Sequence, residues 1–137
     1  MDALQVSTEP DPLAPYRISQ AFRVGDLVIT SGQAAIDRDG NLVGVGDFAA
    51  QAEQVFANLA EVLEAGGSSL AQVIKVTIYL TDMARFADIV ALRERYFTPP
   101  YPADTIVEVK ALALPELEIE IEATALATGT TRAAALT

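Results

Sequence analysis

Apolar positions crowd into two short runs, Ile18 to Val24 and Leu27 to Ser31, with Gly25-Asp26 between them. Runs of this length around a Gly-Asp pair predict a tight β-hairpin. Asp37-Arg38-Asp39-Gly40-Asn41 predicts a second turn. The period then lengthens. Phe48, Ala52, Val55, Phe56, Leu59, Val62 and Leu63 recur at helical spacing, with Asp47 placed to cap the start and Gly66-Gly67 to stop the run. Ile74, Val76, Ile78 and Leu80 alternate with Lys75, Thr77 and Tyr79, the mark of a strand with one buried face. Asp82 opens a second helix, expected to turn Met83, Phe86, Ile89, Val90 and Phe97 inward until Pro99-Pro100 end it. Two strands follow, one from about Thr105 to Val109 and one along Leu117 to Glu122. The order ββαβαββ predicts an α+β fold, a single mixed sheet with both helices on one face. The other face of that sheet must meet water or another subunit.

The 137 residues fit one domain with one core. Residues 1–14 read as a flexible N-terminal leader, with Pro10 and Pro12 inside it and Pro15 just beyond. Residues 15–126 form the folded domain and residues 127–137 a flexible C-terminal tail. No apolar run approaches the roughly 20 residues that cross a bilayer, and no charged-then-apolar segment opens the chain, so no membrane partner is expected. The sequence holds no cysteine, which suits a cytoplasmic location and excludes thiolate chemistry. It holds no histidine either, so a Ser-His-Asp triad and a histidine-held zinc are excluded. Acid–base work must fall to carboxylates, Lys, Tyr or water. A formal net charge of -10, with nine scattered Lys and Arg, disfavours a nucleic-acid partner. No phosphate-cradling or dinucleotide motif is present, and no metal or other cofactor is expected.

Several strings together carry a resemblance. Val24 to Gln33 is similar to the opening hairpin of the RidA/YjgF family, and Asn58 to Leu70 to its first helix and turn. Val73 to Met83 matches its central strand, while Pro102-Ala103, Val107-Glu108-Val109 and Glu118 to Ala123 match its last two strands. The resemblance spans about residues 15 to 126. It implies a chorismate-mutase-like fold whose sheets pack as a homotrimeric barrel, with a small-molecule ligand in clefts between subunits. It also implies hydrolysis of reactive imines or enamines such as 2-aminoacrylate, without a cofactor. In that chemistry an arginine grips the substrate carboxylate, and a glutamate on the last strand, here Glu120, helps position water.

One departure matters. The family's arginine follows Pro-Ala, and this chain has Asp104 there. Two like charges about 4 Å apart repel by about 4 kcal/mol at an effective dielectric near 20. The expectation is therefore a deaminase-like hydrolase that is not an ordinary 2-aminoacrylate deaminase and that favours a neutral or cationic substrate. The alternative is a non-catalytic trimeric module that binds ligands or proteins. Glu120 and Asp104 are the candidate catalytic residues; Tyr16, Arg17, Ser31, Gly32 and Ile106 are the candidate substrate-binding ones. Asp104 has four readings: a plain turn residue, a partner sharing a proton with Glu120, a cation ligand, or an amine receptor. Glu120, with Glu118 and Glu122, equally suits a solvated strand face. Arg17 could replace the missing charge or simply face solvent, and Ser31 reads more simply as a backbone anchor than as a nucleophile. Val90 stands at a helix position that is often Asn in the family.

Overall fold

The computed structural model describes residues 1–135. Seven strands and two α-helices build it: β1 (Ala3–Val6), β2 (Ala21–Val24), β3 (Leu27–Thr30), β4 (Gln33–Ala34), α1 (Phe48–Ala65), β5 (Val73–Leu80), α2 (Phe86–Tyr96), β6 (Ala103–Glu108) and β7 (Ile119–Leu126). The strands lie in one sheet in the order β1-β2-β3-β7-β5-β6, with β4 also on β7. β5 and β6, joined through α2, run parallel, and the other pairs are antiparallel. This is the mixed α+β sheet that the pattern predicts.

Two strands exceed the prediction. Ala3–Val6 pairs with β2 in register from Ala3 opposite Val24 to Val6 opposite Ala21, so part of the expected leader belongs to the sheet. The prolines that follow hide a four-residue strand too short to show a period. The expected tail is without helix or strand from Ala127 to Ala135, and its last residues, Leu136 and Thr137, lie outside the described residues.

The hairpin turns at Gly25, whose φ of 57° is a left-handed value that suits glycine. α1 starts where Asp47 accepts a hydrogen bond from the Ala50 N–H at 3.1 Å. It buries Ala52, Val55, Phe56, Leu59, Val62 and Leu63 against Ile78, Leu80, Ile119 and Ile121 of the sheet in one apolar core. Phe56 stacks on Tyr96 of α2 at 4.2 Å and meets Phe97 edge-on at 5.7 Å, which ties the helices together. On β5 the alternation slips at a bulge between Val73 and Lys75. Val73 is thereby buried, while Ile74, predicted inward, is half-buried.

α2 differs from its prediction. Asp82 caps a short 3-10 turn, accepting from the Ala84 N–H at 2.9 Å, and the α-helix begins only at Phe86. Ile89 is its one buried residue among those described, while Phe86 is 46% and Val90 42% exposed. The helix meets the edge strand β6 through Arg93 and Asp104, and the chain itself leaves Phe86 and Val90 uncovered. No helix among the described residues is long and apolar enough to cross a membrane.

The sheet face away from the helices carries Phe22, Ile29 and Val107, 41%, 46% and 36% exposed. Beside them Lys75 donates to Thr105 Oγ1 at 2.7 Å, and Tyr79 Oη donates to Glu122 at 2.7 Å. Leu59, fully buried at the centre of α1, tests the core. Leu59→Ala is expected to cost about 2–5 kcal/mol, read as a lower midpoint in chemical denaturation with an unchanged slope.

Candidate active site

β7 sets the site. Ile119, Ile121, Ala123 and Ala125 are buried on its core face, so Glu120, Glu122 and Thr124 project from the other. Opposite them the chain from β3 to β4 carries one extra residue. Ile29 faces Thr124 but Gln33 faces Ile121, four steps against three. Such a bulge bends the strand and re-aims its residues. The Thr30 hydroxyl fills the broken ladder by accepting from the Ala123 N–H at 3.1 Å. The Ser31 hydroxyl donates to the Ser19 carbonyl and the Ser31 N–H to the Gln20 carbonyl at 2.8 Å, so this serine anchors backbone.

The bend brings Gly32 against Glu120. A Cβ at Gly32 would stand 2.6 Å from Glu120 Oε2, closer than any side chain tolerates. Here the glycine serves close approach, since its φ is not in the left-handed range. Around the carboxyl lies a cavity of about 480 Å³, walled by Leu13, Tyr16 and Ile18 from the N-terminal segment, by Ser31 and Gly32, and by Leu114 and Leu117. Four sequence-predicted residues therefore meet in one pocket: Tyr16, Ser31, Gly32 and Glu120.

Burial raises the Glu120 pKa above the ordinary glutamate value, and the neighbouring Glu122 carboxylate raises it further. Glu122 in turn accepts from Tyr79, a hydrogen bond that raises the phenol's pKa. A carboxyl group whose pKa is raised, inside a largely apolar pocket, can give and take a proton beside a bound molecule.

Residues that the pattern did not mark also shape the pocket. Asn58 of α1 donates to the carbonyls of Ala34 and Ile36 at 2.9 and 2.8 Å and holds β4 and the chain beyond it to the helix. Arg38 and Glu61 form an ion pair along the pocket lining. Gln51, 1% exposed, donates to the Glu116 carbonyl at 2.8 Å and accepts from the Glu118 N–H at 2.9 Å, fixing the approach to β7. A glutamine on the apolar stripe of a helix was the available signal, because a buried amide requires partners.

The remaining predicted residues lie elsewhere. Arg17 is exposed with φ 63° and is absent from the residues that line the pocket. Asp104 and Ile106 line a second hollow, of about 530 Å³, beside α2. Asp104 pairs with Val76, a core-face residue, whereas Glu120 pairs with Tyr79, three positions on. An odd offset along a strand changes the face, so within a protomer Asp104 and Glu120 stand on opposite faces of the sheet. The reading in which they share one proton is not met there.

Asp104 instead takes two hydrogen bonds from Arg93, at 2.9 Å from Nε and 3.0 Å from Nη2. Its backbone lies open on the edge strand, but the side chain is only 19% exposed. An uncompensated negative charge at this position, the premise of the expected substrate preference, is thereby offset. No group of three or more acidic side chains among the described residues is placed to hold a metal ion.

Two outcomes test the pocket. Below the ordinary glutamate range Glu120 is protonated whether folded or unfolded, and its raised folded pKa makes no difference to stability. As pH rises, the unfolded chain releases this proton first, so stability falls through the window up to the folded pKa and stays reduced above it. Glu120→Gln is therefore expected to raise the melting temperature at neutral pH, with the gain vanishing in acid. Gly32→Ala is expected to leave the fold cooperative while displacing the carboxyl. The NMR titration of Glu120 should then move toward the ordinary value.

Comparison with known proteins agrees with this geometry. A family model described as Endoribonuclease L-PSP matches residues 6–127. A RutC family protein of Sinorhizobium fredii is 38% identical over 112 residues, 82% of this chain and 87% of its own. A 2-iminobutanoate/2-iminopropanoate deaminase of Dermatophagoides farinae is 35% identical over 103 residues, 75% of this chain and 79% of its own. A crystal structure of a Thermotoga maritima protein, described as a putative endoribonuclease, superposes with a TM-score of 0.84 at 41% identity, covering 94% of this chain and 100% of the other. With the bulged β3–β4 segment, the central β7 and the glutamate beside Gly32 in place, this chain belongs to the RidA/YjgF family.

Proposed function

We propose that this chain is a cofactor-free hydrolase of small reactive imines or enamines, and that Glu120 moves the proton. The observation that carries the reading is the Glu120 carboxyl, its pKa raised by burial, packed against Gly32 in an apolar pocket. In the protonated form it can donate to an imine nitrogen and make the carbon electrophilic. As carboxylate it can accept a proton from water that attacks that carbon. The tetrahedral carbinolamine then expels ammonia, so that C=NH and water become C=O and NH₃. An enamine enters the same path after protonation at carbon. The likeness to a named imine deaminase supports the reading, whereas a net charge of -10 speaks against a ribonuclease.

The substrate is a class here. A preference for neutral or cationic molecules rested on an unpaired Asp104, and Arg93 balances that charge. 2-Aminoacrylate therefore belongs in the panel on the same footing as uncharged imines. Tyr16, Ser31 and Gly32 would bound the ligand, with Ser31 acting through the backbone that it holds. The assembly proposed with this activity is a homotrimer, its open sheet faces turned inward so that Phe22, Ile29 and Val107 leave water, and the Glu120 pocket at a seam between copies.

On the best substrate of an imine and enamine panel, Glu120→Gln is expected to lower kcat by about 10²–10⁴-fold. Asp104→Asn is expected to lower kcat far less than Glu120→Gln, since Arg93 already balances the Asp104 charge. Full turnover in the glutamine variant would remove Glu120 from the mechanism, and ligand binding without turnover in the native chain would favour a non-catalytic module. Sedimentation equilibrium is expected to give three times the mass of the chain.

A further inference from the structure

The wall of the Glu120 pocket holds a further polar group that the proposed proton transfer leaves unused. Most polar side chains of that wall are already engaged. The Asn58 amide accepts from Gln54 at 2.8 Å and donates to the carbonyls of Ala34 and Ile36. The Gln20 amide accepts from the Thr8 N–H and donates to the Thr8 hydroxyl at 3.1 Å. Ser31 donates to the Ser19 carbonyl, and Arg38 pairs with Glu61. Tyr16, 62% exposed, belongs to the mouth. Gln33 differs. It is only 5% exposed and lines the pocket. Its Nε2 donates to the Ser31 carbonyl at 3.0 Å, while its Oε1 accepts from no group among the described residues. No fully enclosed side-chain nitrogen or oxygen among those residues lacks a partner, so this oxygen meets the space of the pocket.

The orientation of the amide is fixed from behind. A carbonyl can only accept, so the amide nitrogen must face Ser31 and the oxygen must face away from it. Ser31 is itself held by its N–H on the Gln20 carbonyl at 2.8 Å. The acceptor is therefore in place before any ligand enters. Gln33 pairs with Ile121 and Ala34 with Glu120, so Gln33 and Glu120 come to the pocket from opposite faces of the β4–β7 pair. A ligand whose reacting carbon lies at Glu120 meets Gln33 with another part of its body. Ile36, Val62, Leu114 and Leu117 make the rest of the wall largely apolar. An apolar ligand group against Gln33 strips water from the amide oxygen and returns no hydrogen bond. A hydroxyl or an amide N–H restores one. An ammonium would also donate, but it would carry an unpaired charge among apolar groups.

We propose that Gln33 is a specificity residue: its amide oxygen selects ligands of the Glu120 pocket whose side chain carries a neutral hydrogen-bond donor, a hydroxyl or an amide N–H. The inference rests on the reading of that pocket as the substrate site and narrows it, from small imines and enamines at large to those with a hydroxyl- or amide-bearing side chain.

Three stable ketones resemble the C=O product and separate the donor from the body: 4-hydroxybutan-2-one, pentan-2-one and 4-methoxybutan-2-one. The first donates, the second has a methyl group in place of the hydroxyl, and the third keeps the oxygen without its proton. Titration of the full chain followed by amide NMR is expected to show 4-hydroxybutan-2-one binding about tenfold tighter than the other two. The Gln33 side-chain amide resonances should move with that probe and with neither of the others. Gln33→Met keeps the length of the side chain and removes the acceptor, and it is expected to bring the three affinities together by weakening only the hydroxyl probe. If this variant does not fold, the Gln33 amide resonances of the native chain decide. The proposal is overturned if the three ketones bind alike, if the methoxy compound matches the hydroxyl one, if the preference survives in folded Gln33→Met, or if the hydroxyl probe leaves the Gln33 resonances in place. Equal binding within the pocket would remove Gln33 and leave the hydrolase reading intact, since turnover by Glu120 is measured separately. Shifts confined to other parts of the chain, or none, would remove the pocket as the ligand site and this inference with it.

Discussion

Period-two burial along β7 is the constraint on which this molecule is built. Ile119, Ile121, Ala123 and Ala125 must leave water together, and only one face of the strand can satisfy them. β7 lies between β3 and β5 and also carries β4, so its orientation fixes that of the sheet. A slip of one residue would bring Glu120 and Glu122 into the core, where unpaired carboxylates are strongly disfavoured. The same apolar residues that hold the fold therefore hold Glu120 outward.

What makes Glu120 unusual is the backbone beside it. The extra residue between Ile29 and Gln33 bends the neighbouring chain toward β7. Gly32 removes the side chain that would occupy the space of the carboxyl. The N-terminal segment then closes the wall, tethered by Ser31 to Ser19 and by Gln20 to the Thr8 N–H. Water is excluded from one side of a carboxyl that also faces Glu122, and both effects favour its neutral form. Structural and chemical roles thus rest on different atoms of the same short stretch.

The second hollow has another origin. α2 extends past the body of the core, so Phe86 and Val90 stay exposed while Ile89, Tyr96 and Phe97 pack inward. Arg93 sits where the helix passes over the edge strand and meets Asp104 there. A charge that looks like an inversion in a linear sequence is half of a neutral pair in space. Charge at a site is set by every element packed against it, and spacing along one strand does not reveal this.

By itself, the sequence determined the periods: a helix from Phe48 to the glycines after Ala65, an alternating β5, an alternating β7, and a hairpin at Gly25-Asp26. These follow from local geometry and apolar burial, which are written directly in residue order. The strings around Val24–Gln33, Pro102-Ala103 and Glu118–Ala123 also carried the family resemblance, and with it Tyr16, Arg17, Ser31, Gly32, Asp104, Ile106 and Glu120 as site candidates, of which the fold gathers Tyr16, Ser31, Gly32 and Glu120 around one pocket. Tertiary structure alone decided the rest. β1 is a strand because β2 offers it an edge. Asp104 faces Arg93 and not Glu120, because β6 pairs with β5 in a register that puts Asp104 on the helix side. Asn58 and Arg38 line the pocket through partners 22 to 24 positions away in the chain, and Gln51 reaches Glu116 and Glu118, 65 and 67 positions away, to hold the approach to β7. Contacts of that range depend on how elements dock, and no local period encodes them.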